Sequence, residues 1–160
     1  SLRDHVRRNA DTLDDVTVRR VLGRTSFDSY FMEPGLTVGK CADGPAITAW
    51  VRPNDPPPPD DPAAFYATLA YLSDACGNFA CRALHTPSIF DGSTAAATLN
   101  HAIWFHSRPR PFEWILFVNE SPFAGGGLGI NRGLMYSRDG HLLASIVQEA
   151  LIRRTDPARS

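Results

Sequence analysis

Lysine is almost missing from this 160-residue chain: Lys40 stands alone among 16 basic residues, and the rest are arginine. Neither sign of charge dominates, because 17 Asp and Glu leave a formal net charge of -1. That balance gives no electrostatic footprint for nucleic acid. Cysteine is also scarce. Cys41, Cys76 and Cys81 are odd in number and match neither a zinc nor a redox spacing, which excludes a disulfide scaffold and points to a reducing, cytoplasmic setting. No secretory signal opens the chain, and a start at Ser1 followed by the charged stretch SLRDHVRRNADTLDDV reads as processing or truncation. The nucleophile elbow G-x-S-x-G is absent, which argues against the common α/β serine hydrolases. What remains is ordinary globular composition, 43% hydrophobic and 21% charged, at a length that fits one domain.

Residues 1–26 concentrate charge and show weak helical periodicity in Leu13, Val16, Val18 and Val21, so they read as a linker or an N-terminal helical segment. Two strands are expected next, at 27–38 and 46–51, separated by a turn at 41–45. Pro56 to Pro59 neither donate to a ladder nor continue a helix, and form a stiff connector rather than a ligand for a proline-reading domain. Asp60-Asp61-Pro62 then signals a helix start. From Pro62 to Cys81, Phe65, Leu69, Leu72, Cys76 and Phe79 form one apolar stripe, while Ala63, Ala67, Ala70, Gly77 and Cys81 stand where a surface helix carries charge. The spacing predicts a buried helix over 62–81. Polar Ser73, Asp74, Gly77 and Asn78 in its second half argue against a membrane span.

The remainder reads as strand: 98–106, 114–120, 128–137 and 142–152, with a hairpin at Arg138-Asp139-Gly140. One helix followed by an antiparallel meander, with two strands before it, describes an α+β domain in which a sheet wraps a single helix, the hotdog fold.

Three residues stand out chemically. Asp74 is the only charge between Pro62 and Cys81, and a carboxylate in a buried helix must either lose its charge or be held by hydrogen bonds. Alternation along the strand at 98–106 places Thr98, Asn100, Ala102, Trp104 and His106 on one face, with His101 on the other. Gln148 is the polar member of an apolar row formed with Leu142, Ala144, Ile146 and Ala150, and an amide there needs partners. His101 and His106 point to opposite faces and cannot share a metal. Gly125 to Gly129 looks phosphate-binding but precedes a strand, not a helix.

These segments resemble a known family. LAYLSD (69–74), TLNHAIWFHSRP (98–109), EWILFVNESP (113–122), GLGINRG (127–133) and DGHLLASIVQEALIR (139–153) are similar to the second half of the acyl-CoA thioesterase II (TesB-like) double-hotdog proteins. The resemblance covers about residues 27–154, the expected hotdog domain, with 155–160 as a tail. It implies hydrolysis of fatty acyl-CoA to fatty acid and CoA, with no cofactor beyond the CoA of the substrate. Its catalytic Asp, Thr and Gln correspond to Asp74, Thr98 and Gln148, which activate a water for direct attack. Asn100, where the family often has Asp, and His101 fall beside Thr98 as substrate-binding candidates, and Arg108 and Arg110 are candidates for the CoA phosphates. The family's first hotdog is missing, so the resemblance implies a partner: a second copy or a separate N-terminal half. The alternative is a non-catalytic acyl-CoA-binding or assembly module; enoyl-CoA hydration is disfavoured because the hydratase Asp/His helix motif is not seen.

Overall fold

A computed structural model of the protein describes residues 1–13, 15–23, 26–32, 46–83, 85–86, 89–90, 92–108 and 110–155. Cys41, the turn at 41–45 and the second half of the strand expected at 27–38 lie outside the described residues. The chain opens with two short helices, α1 (Leu2–Arg8) and α2 (Asp15–Leu22), rather than an extended linker. A capping box between Ser1 and Asp4 starts α1. Leu2, Val6 and Val21 are buried and belong to the same core as the sheet, so these helices pack onto the domain.

Strands β1 (Phe27–Phe31) and β2 (Ala46–Pro53) precede α3 (Pro62–Gly77) and α4 (Phe79–Ala83); β3 (Thr94–Phe105), β4 (Ile115–Gly125), β5 (Leu128–Tyr136) and β6 (Leu142–Arg154) follow. All six form one antiparallel sheet in the order β1-β2-β4-β5-β6-β3. The connections obey local turn chemistry. Gly126 and Gly127, at φ 59° and 82°, close the β4–β5 hairpin, which explains why the glycine-rich run has no phosphate-loop geometry. Gly140, at φ 84°, serves the β5–β6 turn.

Helix α3 starts as its sequence dictates: the Asp61 carboxylate accepts from Ala64 N–H at 2.9 Å and Pro62 takes the first turn. Phe65, Leu69, Leu72 and Cys76 face the sheet, against a core that includes Ile47, Ala49 and Val51 of β2, Phe117 of β4, Met135 of β5 and Ile146 of β6. Full burial of a side chain such as Leu69 or Leu72 contributes about 2 kcal/mol. A sheet wrapped on one helix is the hotdog arrangement.

Two expectations about the helix change. It is not continuous to Cys81: it stops at Asn78, the C-cap, and a second helix, α4, begins at Phe79. It is also covered on one side only. Ala63, Ala67, Tyr71 and Asp74 recur at helical spacing along an exposed face, because the single sheet reaches no further round the helix. No described helix is long and apolar enough to cross a membrane.

Candidate active site

Asp74 lies on the exposed face of α3, one turn before the helix ends. It is held by hydrogen bonds and not by burial. Thr98 Oγ1 donates to Asp74 Oδ1 at 2.8 Å, and Gln148 Nε2 donates to the same oxygen at 2.6 Å. Gln148 Nε2 also donates to Thr98 Oγ1 at 2.7 Å. Three side chains from a helix, an edge strand and an inner strand thus close a triangle through Oδ1, while Oδ2 has no bonded partner among the described residues.

The sheet side of this triangle depends on a β-bulge. Thr98 pairs with Ala150 and Asn100 with Glu149, so Leu99 is an extra residue in β3. Simple alternation fails there. Thr98 shares the inner face with His101 and Ile103, whereas Asn100 turns outward and donates to Glu149 Oε2 at 2.7 Å. Asn100 is therefore not beside Thr98 on the helix-facing surface, as the strand pattern had predicted. His101 does face the helix: its Nε2 is 3.0 Å from Ser73 Oγ, whose hydroxyl also donates to Ala70 O. His106, on the opposite face, meets Ser145 Oγ at 2.9 Å. On β6 the inner row holds Ala144, Ile146, Gln148 and Ala150, but a register shift between Met135 and Tyr136 makes Leu143 rather than Leu142 its buried neighbour.

Gln148 is fully buried and reaches Asp74 only because Gly77 lacks a side chain. A Cβ at Gly77 would stand 1.6 Å from Gln148 Oε1. The end of α3 is fastened from the sheet by amides. Asn119 of β4, 3% exposed, donates from Nδ2 to Gly77 O at 2.7 Å and to Cys76 O at 3.4 Å, satisfying carbonyls that a helix end leaves open. Asn131 of β5 accepts from Cys81 N–H at 3.0 Å and donates to Cys81 Sγ at 3.3 Å, which pins α4. Burial pushes the Cys81 thiol above its usual pKa, against the smaller opposing effect of the Asn131 hydrogen bond. Asn78 Nδ2 donates to Thr98 Oγ1 at 3.3 Å. The sequence pattern places Gly77 among the small residues of the helix and Asn78 among its polar ones but gives neither a part in the site, and it does not single out Asn119.

The two arginines do not join this group. Arg110 is bound to Asp139 at 3.1 Å, beside a Ser137 hydroxyl whose hydrogen bond holds the Asp139 carboxyl below its usual pKa. Arg108 is exposed. Both follow β3, whose six ladder steps from Thr98 to Phe105 already carry the chain about 20 Å. A groove of about 400 Å³ lined by Phe65, Arg110, Phe112, Trp114 and Leu143 opens near the start of α3. Phe65 precedes Asp74 by nine residues, about 13 Å of helix, so this groove is separate from the triangle. Among the described residues no trio of His, Cys, Asp or Glu side chains converges as a metal site.

The chain is similar to several known proteins. Acyl-CoA thioesterase 2 of Haemophilus influenzae is 40% identical over 88 residues, 53% of this chain and 30% of that one. The acyl-CoA thioesterase II TesB2 of Mycobacterium marinum superposes with a TM-score of 0.66 at 30% identity, covering 82% of this chain and 50% of that structure. A protein of Alicyclobacillus acidocaldarius described as having a hot dog fold shares that fold at a TM-score of 0.62 and 19% identity, over 81% of this chain and 46% of that one. The chain spans half or less of the length of each of these relatives. The family model for the acyl-CoA thioesterase C-terminal domain matches residues 9–152, nearly the whole chain, and the protein belongs to that family.

Proposed function

We propose that this chain supplies the water-activating site of an acyl-CoA thioesterase, hydrolysing fatty acyl-CoA to a free fatty acid and CoA. The observation that carries the reading is the closed triangle of Asp74, Thr98 and Gln148. Thr98 and Gln148 spend their donors on Oδ1, which fixes the plane of the carboxylate and leaves Oδ2 to accept a proton from water. The water oxygen attacks the thioester carbon while its proton passes to Asp74. Collapse of the tetrahedral intermediate breaks the C–S bond, and the proton on Asp74 goes to the departing CoA sulfur. Water is the nucleophile, so no acyl-enzyme forms. Of the two arginines proposed for the CoA phosphates, Arg108 is the freer, because Arg110 is engaged by Asp139.

The site lies at an open edge. Among the described residues β3, which carries Thr98, pairs with β6 on one side only, and Leu99, Trp104 and Phe105 on it are 50%, 53% and 41% exposed. A second hotdog, from another copy or a separate N-terminal half, completes the site by covering that edge. The test is thiol release from acyl-CoA substrates of several chain lengths. Asp74→Asn, which keeps the shape and removes the base, should lower turnover on the order of a hundredfold or more. Equal release by this variant and the parent would overturn the reading, and acyl-CoA binding without release would identify a binding module.

A further inference from the structure

We propose that Asn78, the residue that ends α3, is a positioning residue of this site that acts through Thr98; the inference rests on the thioesterase reading above. A threonine hydroxyl has one hydrogen to give and two lone pairs to fill. Thr98 Oγ1 uses all three: it donates to Asp74 Oδ1 and accepts from Gln148 Nε2 at 2.7 Å and from Asn78 Nδ2 at 3.3 Å. With both lone pairs occupied the hydroxyl has one orientation, and its hydrogen is committed to Asp74. Thr98 is exposed. Without the Asn78 amide, a solvent molecule gains access to the second lone pair and competes with the orientation that holds the carboxylate.

The side chain of Asn78 has no helix-capping hydrogen bond to account for it. Capping is done by its backbone, whose N–H bonds to Cys76 O and whose carbonyl accepts from Cys81 Sγ at 3.4 Å. Those two bonds fix the main chain and aim the amide at Thr98. The other end of the amide shows what sets its orientation: Asn78 Oδ1 is buried with no hydrogen-bond partner among the described residues. Turning the amide over would place that oxygen against Thr98 Oγ1, whose hydrogen is already given to Asp74. The amide is thus held by its bond to Thr98, at the expense of an unpaired acceptor, and such arrangements persist where the surroundings impose them.

The experiment is a double-mutant cycle read by thiol release from acyl-CoA, with Asp74→Asn as the inactive reference and thermal melting as the check on folding. Asn78→Ala should lower kcat about tenfold, the effect of one positioning hydrogen bond, and leave KM near its original value. In a Thr98→Ala background the same change should have no further effect, whereas in Thr98→Ser, which keeps the hydroxyl, the loss should return. Asn78→Ser, a smaller perturbation of the turn, repeats the cycle if Asn78→Ala melts early. Equal losses with and without the Thr98 hydroxyl, or a kcat unchanged by either Asn78 variant, would overturn the proposal while leaving the thioesterase reading intact. Release by the parent no greater than by Asp74→Asn would remove that reading and this inference with it.

Discussion

A methyl group on Gly77 would stand 1.6 Å from Gln148 Oε1 and 2.8 Å from its Cδ, well inside any tolerated contact. Gln148 is fully buried between β6 and α3, so its amide has nowhere to retreat within the sheet. Gly77→Ala should therefore displace Gln148 from Asp74 and Thr98, lowering thiol release on the order of tenfold or more, about what loss of a site hydrogen bond gives. The measurement is kcat beside a thermal melt. An active Gly77→Ala protein with normal kinetics would show that Gln148 does not need this position. At this scale the sequence was informative about polar residues in apolar company: Asp74 alone on its helix and Gln148 alone in its row both come to the site. It marked Gly77 only as one of the small residues of the helix, since close approach by a partner 71 residues away leaves no local trace.

Elements carry the same point further. The triangle needs α3 to end where it does, and that end is set by Asn119 of β4 gripping Gly77 O and Cys76 O. Asn119→Ala would take from the buried Gly77 carbonyl its side-chain donor, a loss of about 1–3 kcal/mol. The expected result is a lower urea midpoint with unchanged slope, checked by equilibrium unfolding; no change in midpoint would mean that other groups hold the helix end. Helix start, the strands themselves and the β5–β6 hairpin were legible because each rests on local chemistry: the Asp61 cap, the alternation of apolar residues and the turn glycine. The strand order was not: β3 leaves the expected meander and pairs with β6 at the edge of the sheet. The helix break at Asn78 and the bulge at Leu99 were not, because both arise from pairing with distant segments. The bulge had the larger consequence. One inserted residue exchanges the faces of everything beyond it, which puts His101 toward Ser73 and sends Asn100 out to Glu149.

For the whole molecule, the decisive feature is that its proposed chemistry lies on an exposed surface. Asp74 and Thr98 are exposed, and β3 has no second strand partner among the described residues. Thioester hydrolysis by a carboxylate base works best where water is excluded, because electrostatic interactions weaken in bulk solvent. An isolated copy is thus poorly suited to the reaction, and covering the β3 edge would supply paired strand groups and a drier site together. If the second hotdog is another copy of this chain, native mass measurement should find a dimer or higher multiple, and thiol release per chain should fall on dilution below the dissociation constant. Leu99→Glu, which puts a charge on the exposed bulge of that edge, should weaken the assembly and lower activity together. A monomer with full activity per chain at all concentrations would refute self-pairing and the need for a cover. A monomer that becomes active only on adding a separate first hotdog would instead identify the other half as the partner.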